Sequence, residues 1–273
     1  MTARIVRYVV LTIVAVIVIF PVVWVVSTSI KTDLDIFAIP PELIPPHPTA
    51  SRYQGLWTYG LLAYLGNSVI VSISTAVVTL ALGTLAAYSL ARLPLPGKWT
   101  SRVSFWILST RMFPPIITVI PLFQLMRFLG LVNTRLGLVL AYSAFNIPFV
   151  VWMMRGFFVE VPKDLEEVAM VDGCSRMRAF RSITLPVVVP GIAATAIFTI
   201  ILAWQEFLFA LILTQTSASA TLPILVSSQV TQYQILWGQM GAAGTITMVP
   251  VLVFAFSVQK YLVRGMSFGA IKG

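Results

Sequence analysis

Long apolar runs alternating with short charged stretches set the pattern of this chain. A helix rises about 1.5 Å per residue, so roughly 20 apolar residues cross a hydrocarbon layer about 30 Å thick. Six runs meet that test. They lie at about Tyr8 to Ser27; at about Asn67 to Leu90, inside the uncharged stretch 55–91; at about Val103 to Met126, interrupted by Arg111; in the uncharged interval between Arg135 and Arg155; at about Val187 to Thr214, with one acid, Glu206; and at about Ala242 to Val258. The pattern predicts an all-α integral membrane protein of six transmembrane helices.

Composition agrees. The 273 residues are 58% hydrophobic and 10% charged, whereas ordinary soluble domains carry about a quarter charged residues. A net charge of +9 could suggest nucleic acid, but the basic residues sit between the apolar runs, which suits membrane orientation instead. Thirteen Lys and Arg fall in the loops on the side of the N-terminus. Four (Lys31, Arg52, Arg127 and Arg135) fall on the other, and Arg111 lies inside a span. Cytosolic loops carry the excess, so both termini are expected in the cytosol. The first run follows Arg4 and Arg7 as a signal peptide would. It exceeds the usual 7–15 apolar residues and ends without a small-x-small cleavage site, which predicts a retained anchor. A single cysteine, Cys174, and a single histidine, His47, exclude an intrachain disulfide, a His-rich metal site and a histidine-based triad.

Two outer loops are long. The first, about Thr28 to Gly66, holds Pro40, Pro41, Pro45, Pro46 and Pro48 and reads as an extended, semi-rigid cap. The last, about Gln215 to Gly241, is uncharged and rich in Ser, Thr and Gln. It suits either contact with a polar, uncharged ligand or its carrier, or a plain solvated connector.

Buried polarity is confined to Arg111, Gln205 and Glu206. An ionised side chain at mid-bilayer costs at least about 2.5–3.5 kcal/mol, so each charge needs a partner or water. Arg111 and Glu206 lie at similar depths and could pair between helices; sugar recognition is the functional alternative. Trp204 and Phe207, beside Glu206, could stack on a pyranose face, although aromatics at such spacing more often pack. A buried nucleophile with its base, or a metal cluster, is missing, which argues against an intramembrane enzyme. A Walker A loop is missing as well: Gly97-Lys98 has Arg92 five places before the glycine and Trp99 after the lysine, so energy must come from another chain.

The most informative segment is the inner loop 160–186. Pro162 and Asp164 open a short helix with acids in its first turns, Gly173 can supply a positive-φ turn, and Ser175 can cap a second short helix bearing Arg176, Arg178 and Arg181. Leu165, Val168, Ala169 and Phe180 are expected to form one apolar side. Such a helix–turn–helix can dock in a partner's groove.

At Glu167, Ala169, Gly173, Ile183, Leu185 and Pro186 the loop resembles the signature of binding-protein-dependent ABC importer permeases, Glu-Ala-Ala, three residues, Gly, nine residues, Ile-x-Leu-Pro, departing only in Val168. The resemblance spans nearly the whole chain and points to the MalG-type carbohydrate branch. It is carried by Asn67-Ser68, Ala87-Tyr88 with Ala91-Arg92, Arg111-Met112 before Pro114-Pro115, Leu129-Gly130-Leu131 before Asn133-Thr134, Pro148-Phe149 and the terminal Gly269-Ala270-Ile271-Lys272-Gly273. Within that branch the chain is most similar to permeases of mycobacterial trehalose importers.

The resemblance implies a type I ABC importer permease fold in the inner membrane. Its parts are an N-terminal helix with its outer loop (1–62), a permease domain (63–262) and a cytosolic tail (263–273). It implies a second homologous permease, two ATPase subunits that bind ATP and Mg, an extracytoplasmic sugar-binding protein, and no cofactor on this chain. ATPase coupling would fall to Glu166, Glu167, Ala169, Asp172, Gly173, Ile183, Leu185 and Pro186. The binding protein would meet Gln229, Gln232, Gln234 and Trp237, and the substrate path would include Arg111, Trp204, Gln205, Glu206 and Phe207. A channel or secondary transporter is the rival class; the docking loop argues against it.

Overall fold

The computed structural model describes residues 2–93, 96 and 98–269, with side-chain surroundings for 4–257 apart from 94, 95 and 97. The terminal motif beyond Gly269 therefore lies outside the described residues. Regular structure among the described residues is helical, save for an isolated antiparallel bridge between Val230 and Ile235. In chain order the helices are α1 (Thr2–Ser29), α2 (Asp33–Ile36), α3 (Ser51–Thr58), α4 (Leu61–Arg92), α5 (Trp99–Thr110), α6 (Pro115–Phe128), α7 (Arg135–Glu160), α8 (Asp164–Val171) and α9 (Arg176–Ala179). A π-helical turn, Phe180–Thr184, leads to α10 (Leu185–Val187), α11 (Val189–Trp204), α12 (Leu208–Leu213), α13 (Leu222–Ser227) and α14 (Trp237–Gly269).

Among the described residues, four stretches are long and apolar enough to cross a membrane unbroken: Arg4–Ser29, Leu61–Arg92, Arg135–Glu160 and Trp237–Ser257. The third and fifth expected spans are not continuous helices. Trp99–Thr110 and Pro115–Phe128 meet at 85°, because Pro114 lacks an amide hydrogen and disfavours helix in the residue before it, while Pro115 starts a new helix at its first turn. Arg176–Val187 and Val189–Trp204 meet at 74°, and the expected fifth run breaks again after Trp204, with α12 restarting at Leu208. The sixth helix is longer than expected, beginning at Trp237.

The chain forms two compact units, 1–65 with 221–250, and 66–220 with 251–273. In the first, the proline-rich loop is not a free-standing cap. Ser27 Oγ donates to Leu43 O, Lys31 Nζ to Glu42 O, and the Thr49 N–H to Ile30 O at 2.8 Å, folding the loop back on the end of α1. Lys31 is buried and lies 4.5 Å from the centre of the Trp24 ring, so its ammonium has both a carbonyl and a π face in place of water. Short α2 and α3 flank the prolines and are joined by Arg52 Nη2 to Asp33 Oδ1 at 2.7 Å.

In the second unit, α7 lies at the centre, packed by α5, α11 and α12. Lipid provides no hydrophobic drive between helices, so close approach depends on small residues. Gly191 is one: a Cβ there would come within 2.5 Å of the Phe157 ring, which covers α11 at that point. Two asparagines gather the end of the unit far from α8. Asn67 Nδ2 donates to Ser217 O and Ala220 O at 2.9 and 2.8 Å, and its Oδ1 accepts from Arg135 Nε at 2.7 Å. Asn133, at φ 59°, accepts through Oδ1 from Gln215 N, Thr216 N and Ser219 Oγ. Both belong to motifs that carried the family resemblance.

Candidate functional site

The hairpin between α7 and α11 has the local construction its residues dictate. α8 begins with Asp164, Glu166 and Glu167 in its first turn, where the helix dipole favours carboxylates. Gly173 sits at φ +87°, and the N–H of Cys174 reaches back to Ala169 O at 3.0 Å, closing the helix end. Ser175 Oγ accepts from Arg178 N at 3.4 Å as the cap of α9. The Leu185 N–H then reaches Phe180 O five residues back, widening the chain into the π turn ahead of Pro186.

At the centre of this hairpin is Glu166. Its Oε1 accepts from Arg92 Nε at 2.7 Å and from Thr184 Oγ1 at 2.6 Å; its Oε2 accepts from Tyr88 OH at 2.9 Å. Arg92 Nη2 also donates to Val161 O at 2.7 Å. Both charges are almost fully buried, Glu166 at 4% and Arg92 at 8% exposure. They rest on an aromatic cluster in which Tyr88 lies 4.4 Å from Phe180 and 5.6 Å edge-on from Phe158, centre to centre. Burial alone would raise the Glu166 pKa, but the hydrogen bonds from Thr184, Arg92 and Tyr88, with the charge of Arg92, outweigh it and hold the carboxyl below its ordinary value. The Arg92–Glu166 pair thus ties the end of α4, the residue that follows α7, α8 and the π turn together.

The remaining hairpin candidates divide by face. Ala169 is buried beside Glu166; Ile183 and Leu185 are half-buried; Glu167, Asp172, Gly173 and Pro186 are exposed. The expected apolar side is split between the two faces: Ala169 and Phe180 point inward, while Leu165 and Val168 face solvent. Helical rotation explains this, since Val168 lies two residues from Glu166 and Leu165 one, whereas Ala169 lies three. Arg92 and Tyr88, not singled out from the sequence as functional, are the other half of the hub. Their i, i+4 spacing at the end of a span was the available signal.

Arg111 and Glu206 do not pair. Arg111 Nη1 donates to Phe145 O at 3.3 Å, and its guanidinium lies 5.0 Å from the centre of the Phe149 ring. Glu206 instead accepts from Phe209 N and Ala210 N at 3.0 and 3.3 Å, capping α12 where the fifth run breaks. The break turns the carboxylate toward the amides that follow it, and Tyr142 of α7 also bonds it. Trp204 is buried, edge-on to Phe254 at 6.5 Å, and so belongs to packing; Gln205 and Phe207 are exposed. In the first unit, Gln229 is buried and donates to Leu225 O at 3.0 Å, which removes it from an outward contact surface. Gln232, Gln234 and Trp237 are exposed beside Tyr233, the most exposed aromatic of that loop at 95%. Among the described residues no cluster of His, Cys, Asp or Glu could hold a metal.

Comparison with known proteins agrees with this architecture. Residues 79–268 match the family model described as binding-protein-dependent transport system inner membrane component. The trehalose transport system permease protein SugB of Mycobacterium tuberculosis is 36% identical over 256 residues, 93% of this chain and 92% of that protein. The sulfoquinovosyl glycerol transport system permease protein SmoH of Agrobacterium fabrum is 33% identical over 255 residues, 93% and 89% of the two chains. In structure, the chain is similar to one in a bacterial ABC transporter involved in the import of the acidic polysaccharide alginate. The TM-score is 0.78 at 23% identity, over 95% of this chain and 96% of that one. The fold is thus that of a type I ABC permease, and the chain belongs to the family of binding-protein-dependent inner-membrane transport components, the non-catalytic membrane subunits of ABC importers.

Proposed function

We propose that this permease forms half of the translocation path of an ATP-driven sugar importer and couples to a separate ATPase through the hairpin 160–186. The observation that carries the reading is the two-faced surface of α8. Glu166 and Ala169 anchor it inward, while Glu167, Val168 and Val171 face outward, the two valines 62% and 87% exposed. A helix held rigidly on one side and offering an apolar patch with a carboxylate on the other is what a partner's groove can push against without slipping. ATP and Mg belong to that partner.

Six spans with both termini in the cytosol follow if α5 with α6 counts as one span and α11 with α12 as another, the hairpin 160–186 staying outside the membrane, in accord with the thirteen-to-four charge asymmetry. A second permease, two ATPases and an extracytoplasmic binding protein complete the assembly, and the exposed Gln232, Gln234 and Trp237 offer that binding protein a polar, aromatic surface. The cargo is a disaccharide, with trehalose the first candidate; the name of SugB supports this and that of SmoH favours a different glycoside. Proteoliposomes holding the whole importer, given binding protein, ATP and a panel of labelled disaccharides, test the reading. Uptake that needs both additions supports it, and uptake that needs neither would identify a channel.

A further inference from the structure

A cavity of about 460 Å³ opens beside the hub, where the candidate spans Leu61–Arg92 and Arg135–Glu160 end. Its size falls in the range, roughly 300–1,000 Å³, of sites that hold small ligands. Arg155 of α7, Lys163 at the start of α8 and Arg176 of α9 line it, together with the apolar Leu90, Val159 and Met170. None of the three cations forms a side-chain hydrogen bond or ion pair among the described residues, and Arg155 Nε is buried without a partner there. Two carboxylates also line the cavity. Glu166 is spent on Arg92, Thr184 and Tyr88, which leaves Glu167 alone against three cations.

From this arrangement we infer that the cavity binds the phosphate of an anionic phospholipid. A buried guanidinium nitrogen without a partner is costly in the empty site and favours an acceptor of high charge density. Guanidinium and ammonium groups at the ends of spans match a phosphodiester at headgroup depth. The apolar half of the lining matches the first carbons of an acyl chain. Free inorganic phosphate would gain nothing from Leu90, Val159 and Met170, which is why the lipid is favoured. The inference rests on reading α4 and α7 as membrane spans, and not on the identity of the transported sugar.

The test uses the complete importer purified in detergent, with this chain as wild type, Lys163→Gln, Arg155→Lys or the double variant Arg155→Gln/Lys163→Gln. Bound short-chain phosphatidylglycerol is read by native mass spectrometry, against phosphatidylcholine and inorganic phosphate as controls. Affinity for phosphatidylglycerol should fall about fivefold for each cation removed and be largely kept by Arg155→Lys, with little binding of phosphatidylcholine. Lys163 is exposed, so its variant keeps the test open should Arg155→Gln fail to fold. Equal phosphatidylglycerol binding by wild type and double variant would overturn the inference, as would inorganic phosphate displacing the lipid at equal concentration. Variants that lose the ATPase while keeping the lipid would assign the cavity to that partner and also overturn it. Sugar uptake is measured on the same preparations, so a fault in the transport reading shows separately from a fault in the lipid site.

Discussion

Arg92 and Glu166, 74 positions apart in sequence, meet at 2.7 Å in a buried ion pair that joins the end of a long apolar helix to the first turn of the hairpin. Such a pair is weak as net stabilisation, because desolvation offsets much of its attraction, yet removing one partner strands the other. Arg92→Ala and Glu166→Ala should each destabilise the permease by about 3–5 kcal/mol. The paired change Arg92→Met/Glu166→Met should cost less than the sum. Thermal unfolding of the purified complex checks this; additive losses would mean that the two charges act separately.

The pH dependence of this clasp has a definite sign. Glu166 is held below the ordinary carboxylate value of 4.5 by its hydrogen bonds and by Arg92, against the opposing effect of burial. A depressed native pKa contributes stability that is fully present above the unfolded value and is lost as pH falls through the native one. The stability gap between wild type and Glu166→Gln should therefore stay flat from about pH 8 to about pH 5 and close in stronger acid. A gap that widens on acidification would contradict the assigned ionised state.

Glu167 should behave differently from its neighbour. It is exposed, with the outward-facing Val168 beside it, so Glu167→Ala should leave the thermal midpoint of the isolated permease unchanged. Uptake should fall moderately, since one charge-assisted contact is worth about 1.5–3 kcal/mol. Co-purification of the ATPase with each variant separates the two acids: retention should drop for Glu167→Ala without loss of permease.

Gly173 sets the turn at φ +87°, and a Cβ there meets nothing within 4 Å. Space is therefore not the obstacle; the left-handed backbone is, at roughly 1–2 kcal/mol for a residue with a Cβ. Gly173→Asp adds charge to the docking seam as well. It should leave the chain inserted in the membrane while abolishing uptake and weakening ATPase retention, whereas Gly173→Asn, better suited to this conformation, should retain part of the activity. Wild-type uptake in Gly173→Asp would remove the hairpin from the coupling role.

Because Arg111 and Glu206 bond to different neighbours, Arg111→Ala and Glu206→Ala should be additive in stability and in transport. Glu206→Ala removes the acceptor for the first amides of α12, a change worth about 0.5–2 kcal/mol, and Glu206→Gln, which keeps an acceptor oxygen at the same reach, should recover part of it. A double-mutant cycle with coupling above about 0.5 kcal/mol would restore a direct link between the two residues.

Local pattern alone located the apolar runs, the hairpin, its Gly173 turn and its Ser175 cap. Hydrophobic run length, helix-capping chemistry and positive-φ tolerance act within a turn or two of chain, so neighbouring residues determine them. Pro114 and Pro115 entered the sequence reading only as a family motif within one expected span, and the 85° bend they permit came from the structure. What only the tertiary structure decided is which residues face each other. Glu166 and Glu167 are chemically alike and adjacent, yet the rotation of α8 against α4 and the π turn buries one with Arg92, Tyr88 and Thr184 and leaves the other in solvent. Gln229 turned inward and Trp204 packed on Phe254 for the same reason. Arg111 and Glu206 invited pairing because equal depth in the membrane can be counted along a sequence. A partner also requires that two helices present those residues to one another, and that depends on helix rotation and on the break at 205–207, which packing sets and residue spacing does not.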